Sequence, residues 1–375
     1  MKRLGPIALA LGCTMLAGSA LAQLSITPPV AQTPAPKPPK EAPASKESPA
    51  AKKEAPKAST HDAAKAKAAA AAKKAAPKPA ATPTPSPSPS PAFEDPSVDL
   101  VYGAYQRGMY KTALDLATSR AQYNNDPKAM TMLGELYANG LGVKRDYGKA
   151  LQWYQRASDA GDREAMFALA MMKIAGRGGP VNKEDAVKLL ASAAKLGEPK
   201  AAYNLALLYL DGQTLPQDTR RSAELLRMAA DAGSPEAQYA LATFYKEGTG
   251  VPKDLEKAAR LLQAAALADN VDAEVEYAIA LFNGTGTPQN KPAAVALLGK
   301  AARQNSPIAQ NRLAHVLAVG AGVPQDKVEA LKWHIIAKTA GKGDPDLDGM
   351  LSDLSPADRA KAEAAARKWI GNNVK

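Results

Sequence analysis

Alanine returns every 36 residues, at Ala129, Ala165, Ala201, Ala237, Ala273 and Ala309. A fixed period of this size constrains the fold more than any other feature. It implies like supersecondary units that bury their apolar faces only against one another. The same period carries Gly140, Gly176, Gly212, Gly248, Gly284 and Gly320, and then Asp146, Asn182, Asp218, Asp254, Asn290 and Asp326. A further alanine column follows at Ala157, Ala193, Ala229, Ala265, Ala301 and Ala337.

Within one unit, Ala129, Met132, Leu133, Leu136 and Tyr137 fall at the spacing that gathers an apolar face on a helix over 128–138. Gly140 then supplies the left-handed conformation that closes a helix C-terminus. The Asp or Asn six residues on is an N-cap, whose side-chain oxygen accepts from the free N–H groups of a second helix. That helix carries Ala150, Leu151, Trp153, Tyr154 and Ala157 and runs to about Ala160. Gly161, Gly197, Gly233 and Gly341 close the second helices, with Asp269 and Asn305 standing in elsewhere. Alanine at fixed positions lets neighbouring helices approach closely. These readings predict an all-α solenoid of helix–turn–helix units.

The run Ala129-x3-Leu133-Gly134-x2-Tyr137-x2-Gly140-x-Gly142-Val143-x2-Asp146-x2-Lys149-Ala150-x2-Trp153-Tyr154-x2-Ala157-x3-Gly161 resembles the Sel1-like repeat, a relative of the tetratricopeptide repeat. The resemblance implies a right-handed superhelix and six repeats over 127–344. Repeat three departs at Thr214 and Ser222, and the Gly176-Arg177-Gly178-Gly179-Pro180 stretch of repeat two reads as a wider loop. Residues 93–126, with a turn at Gly108-Met109, resemble a degenerate tetratricopeptide unit capping the N-terminus. Residues 345–375 are expected to hold a C-terminal capping helix that opens at Ser355-Pro356-Ala357-Asp358 and ends near Ile370.

Met1-Lys2-Arg3, the apolar stretch from Leu4 to about Ala17 and the small-residue pattern Ala20-Leu21-Ala22 predict a signal peptide over 1–22, cleaved after Ala22. The mature chain is then expected in the periplasm. Leu11-Gly12-Cys13 is only a loose match to lipoprotein processing, since Ala10 stands where leucine is usual and the segment stays apolar past the cysteine. Cys13 is the single cysteine, so the mature chain has no thiol chemistry. Residues 23–92, rich in Pro, Ala and Lys, are expected to be a disordered tether, because they lack the large apolar side chains a core needs. The tether holds 11 lysines against 3 glutamates and 1 aspartate, which accounts for most of the net charge of +11. Such an arm can make weak, salt-sensitive contact with anionic lipid or cell wall. The repeats themselves are near neutral, and with export expected no nucleic-acid partner is implied.

Candidate chemistry is sparse. There is no Gly-x-Ser-x-Gly, His-Glu-x2-His or phosphate-binding loop. Of the three histidines, His61 lies in the tether, while His315 and His334 fall on repeat helices, His334 at a packing position. Asp344-Pro345-Asp346-Leu347-Asp348-Gly349 matches the first half of a calcium loop, but Ser355 stands where the bidentate Glu belongs. It reads as an acidic connector. No catalytic residue, cofactor or metal is implied, and the chain reads as a non-enzymatic protein-interaction scaffold or regulator of the cell envelope. The second reading is an envelope protein that binds or modifies peptidoglycan.

By resemblance to tetratricopeptide-type repeats, the first helices line a concave face. Carried through the register, the partner-binding candidates are Phe167, Met171 and Ile174, then Tyr203, Leu207 and Leu210, then Tyr239, and then Val275, Ile279 and Phe282. The end units, with Thr131, Glu135 and His315, are more polar.

Overall fold

The computed structural model describes residues 99–373. The expected signal peptide and tether, with Cys13 and His61, lie outside them. The described residues form sixteen helices and no strand. Two of them, α1 (Leu100–Gln106) and α2 (Tyr110–Tyr123), precede the repeats. The repeats follow as α3 (Pro127–Asn139) with α4 (Tyr147–Asp159), α5 (Arg163–Ala175) with α6 (Lys183–Lys195), and α7 (Pro199–Asp211) with α8 (Thr219–Asp231). The series continues with α9 (Pro235–Glu247) and α10 (Leu255–Leu267), α11 (Val271–Asn283) and α12 (Lys291–Arg303), and α13 (Pro307–Val319) and α14 (Lys327–Thr339). It closes with α15 (Pro345–Met350) and α16 (Pro356–Asn373). From α1 to α14 each helix packs chiefly on its sequence neighbours, the contact pattern of an all-α solenoid, while α15 packs on α13 and α16 on α14.

The capping chemistry read from the register is in place. Gly140, Gly176, Gly212, Gly248, Gly284 and Gly320 are all left-handed C-caps. Asp146, Asn182, Asp218, Asp254, Asn290 and Asp326 each accept from the backbone N–H three residues on. Asp269 and Asn305 adopt positive φ where other repeats use glycine, as their short polar side chains allow. The first helices carry caps that the register alone did not reveal, because residue type varies there: Asp126, Asp162, Glu198, Ser234, Asn270 and Ser306.

Two expectations are corrected, and the departure at Thr214 keeps the loop of its neighbours. The loop of repeat two is no wider than the others, since seven residues separate α5 from α6 just as seven separate α3 from α4. Gly178 occupies the place of Gly142, both at positive φ. Thr214 leaves the loop of repeat three closed by the bond its relatives use, Asp218 N–H to the Tyr209 carbonyl at 3.0 Å. The acidic connector is the short helix α15, with Asp344 as its N-cap.

The second loop glycine is where one repeat meets the one before. A Cβ on Gly250 or Gly286 would land on the first residues of the preceding second helix, at the Thr219 and Leu255 carbonyls. Gly161 also has positive φ but faces open space. Gly161→Ala therefore meets only backbone strain, about 1–2 kcal/mol, whereas Gly286→Ala must also push adjacent repeats apart and is expected to cost roughly 3 kcal/mol or more. Urea denaturation of the two variants checks the ordering.

Candidate functional site

The first helices α5, α7, α9 and α11 bring nine of the ten candidate side chains to the surface in one register. Phe167, Met171, Ile174, Tyr203, Leu210, Tyr239, Ile279 and Phe282 are half-buried, and Leu207 is 36% exposed. Val275 is the exception. At 5% exposure it belongs to the core with Ala278 and Leu281. A valine, at the position where earlier repeats hold Phe167, Tyr203 and Tyr239, is too short to clear the neighbouring helices. Most of the others rest one side on the core and leave the other to solvent.

The column is not purely apolar. In α9 the positions equivalent to Leu207 and Leu210 hold Thr243 and Lys246, and Lys246 bonds Glu276 of the next repeat at 2.9 Å. Burial raises the pKa of the Tyr203 hydroxyl, with nearby Glu236 adding to it. Burial, followed by Glu276, Asp272 and Glu247, pushes Tyr239 up to about 12. Both hydroxyls therefore stay protonated and can donate.

A distinct cleft of about 380 Å³ opens at the N-terminal end of this face. It is walled by Asp99, Tyr102 and Tyr105 of the capping pair, Thr131 and Glu135 of α3, Tyr154 of α4, and Phe167 of α5. Of the ten candidates only Phe167 lines it. The apolar column marks a surface, and this cleft lies at its polar end. Sequence pattern places Thr131 and Glu135 at the polar end but cannot show a cleft, because its other walls come from α1, α4 and the following repeats.

At the opposite end the two described histidines hold α15. His315 Nε2 lies 2.7 Å from Asp344 Oδ2, which also accepts from Asn311 Nδ2 at 3.0 Å. His334, 1% exposed, has Nε2 2.8 Å from Asp348 Oδ1, a carboxylate that also takes Lys338. The calcium reading fails here, because these carboxylates are spent on caps and histidines. Among the described residues, no group of three or more His, Cys, Asp or Glu is placed to hold a metal ion. Nor is any described helix long and apolar enough to cross a membrane.

The Sel1 repeat family matches six consecutive segments, 127–162, 163–198, 199–234, 235–270, 271–306 and 307–342, together more than half of the chain. The chain belongs to the Sel1 repeat family. Among solved structures it is similar to a protective antigen of uropathogenic Escherichia coli with a Sel1-like repeat fold, at 25% identity and a TM-score of 0.63. That match covers 73% of this chain and 60% of the antigen, so the chain spans less than two thirds of that relative's length. It is also similar to a Sel1 repeat protein from Oxalobacter formigenes, at 28% identity and a TM-score of 0.58, covering 64% of this chain and 98% of the other. No curated protein matches. Sel1 repeat solenoids generally serve as non-catalytic scaffolds for protein–protein interaction.

The hold on α15 makes a pH prediction. Partial burial works to raise the Asp344 carboxyl, but the bonds from Asn311 and His315 outweigh it and bring it down to about 2. A carboxylate depressed on folding stabilises above its ordinary range near 3.8. That contribution is lost as the pH falls from about 4 towards 2. Asp344→Asn, which can still cap α15, is expected to lower the melting temperature at pH 6 and to narrow its gap to wild type between pH 4 and pH 2. Melting curves across that range check it.

Proposed function

We propose that the chain is a non-catalytic protein-interaction scaffold or regulator of the bacterial cell envelope. In this reading it holds an extended or helical segment of a partner polypeptide along the first-helix face. One observation carries the reading: nine apolar side chains from four successive first helices reach one surface in register, half-buried to exposed. Side chains anchored on the core and open on one side lose little entropy when a partner covers them. Tyr203 and Tyr239 add ring area together with a hydroxyl that donates. The family's general role as interaction scaffolds supports the reading. The periplasmic address rests on Met1-Lys2-Arg3, the apolar stretch after it and Ala20-Leu21-Ala22.

The test is a paired substitution on the exposed part of the column. Leu207→Asp places a charge at the most exposed of the ten candidate positions, and Phe282→Ala removes a half-buried ring at a cost of about 1–3 kcal/mol. The double variant is expected to keep its helical circular dichroism and to lose partners crosslinked in the native envelope. Undiminished crosslinking to the same partners, with the helical signal intact, would contradict the proposal.

A further inference from the structure

The cleft at the N-terminal end holds one charge that the protein does not answer. Arg120 serves two of the acids, with Nη1 3.0 Å from Asp99 and Nη2 2.6 Å from Asp126. Lys128 lies 3.5 Å from Asp162 and 3.9 Å from Glu164. Glu198 faces Arg163 at 3.7 Å. Glu135 has neutral partners only: Oε1 accepts from Asn139 Nδ2 at 2.6 Å, and Oε2 accepts from the Tyr154 hydroxyl at 3.0 Å. Among the described residues no cation lies within 4.0 Å of it. Lys200, the remaining cation of the lining, is exposed and comes from α7, two repeats along.

Glu135 is also held in place by a break in the register. The residue before it is Gly134, where the other repeats have Ala170, Ala206, Ala242, Ala278 and Ala314. Facing it is Tyr154, where they have Leu190, Leu226, Leu262, Leu298 and His334. The two exchanges are coupled, because a Cβ on Gly134 would lie 2.5 Å from the Tyr154 ring. The missing methyl seats the ring over α3. The ring is 3% exposed, and its hydroxyl is carried through to the Glu135 carboxylate. Burial, then the Glu135 charge, keeps that hydroxyl protonated, so it donates and fixes the carboxylate. Alanine with leucine would pack this layer as it packs the next four, so packing alone does not require the exchange.

We propose that this cleft binds the charged head of a lysine or arginine side chain on an extended partner polypeptide, with Glu135 as its counter-charge. The proposal rests on the scaffold reading above and assigns one specificity position within it. A volume of about 380 Å³ is at the small end of ligand sites, room for a side chain with its flanking backbone. Tyr105 and Phe167 line the cleft and Tyr102, 51% exposed, stands at its rim. These rings offer faces to an alkyl stem and a cation. A charge-assisted bond to a carboxylate already oriented by two donors is the stronger class of hydrogen bond.

A library of random nonapeptides, selected on the immobilised full chain, tests this without a known partner. Peptides recovered on the wild type are expected to align with Lys or Arg enriched at one position. On Glu135→Gln, which keeps the side chain's shape, the enrichment is expected to vanish while the melting temperature holds. For the best peptide, replacing that lysine by norleucine is expected to weaken binding to the wild type about tenfold and to leave binding to Glu135→Gln unchanged. Selected peptides with no preferred cation, or a preference that survives Glu135→Gln, would overturn the cleft proposal and leave the scaffold reading standing. Recovery of no peptide above background would overturn both.

Discussion

The close approach of neighbouring helices at their alanine columns is the constraint on which everything else depends. Ala165, Ala201, Ala237, Ala273 and Ala309 are fully buried, as are Ala157, Ala193, Ala229, Ala265, Ala301 and Ala337. A methyl at these points lets one helix lie against the next and leaves the larger apolar side chains to interdigitate between them. Each layer therefore needs the layer beside it, and the loop glycines that touch the preceding repeat extend the same tight fit to the backbone. The two ends cannot be satisfied this way. They are closed by α1 and α2 at one end, and at the other by α16, whose Trp369 meets Trp333 edge to face at 5.1 Å.

A spacing this tight leaves little freedom at the register positions, so chemistry is left to positions where the register changes. The exchange of alanine and leucine for Gly134 and Tyr154 brings a hydroxyl through the layer to Glu135. In the same column, His334 replaces leucine in the last repeat and reaches Asp348. Both changes fall at the ends of the stack, where a neighbour is a capping element and not another repeat. Between them the first-helix column, Val275 apart, keeps one side open to solvent and varies in residue type. In the function proposed above, its sequence, from Phe167 through Tyr203 and Leu207 to Phe282, is where a partner is read.

Much of this fold was legible in the sequence, for a physical reason. Glycine at positive φ and Asp or Asn at an N-cap are demanded by the backbone wherever the unit repeats, so they recur in register. The caps of the first helices were not legible, because Asp, Glu, Ser and Asn serve equally there. Val275 sits in the right column, but only the heights of its neighbours decide whether a side chain emerges. The helix α15 was hidden by its acidic composition, since six residues carry too little periodicity to read. The cleft was least legible of all. Thr131, Glu135 and Phe167 fall on it by register, yet its defining features are the absence of a methyl at Gly134 and, among the described residues, the absence of a cation beside Glu135.

The most direct test of the packing constraint is a double-mutant cycle on Gly134→Ala and Tyr154→Leu, read by urea denaturation. Gly134→Ala alone drives a methyl into the Tyr154 ring and is expected to cost about 1–3 kcal/mol. Tyr154→Leu alone leaves a gap over the glycine and should also destabilise. Together they restore the alanine and leucine of the other repeats, so the double variant is expected to be more stable than either single one, with a coupling of about 1 kcal/mol or more. Costs that simply add, to within about 0.5 kcal/mol, would contradict the claim that helix spacing at the small-residue columns governs this structure.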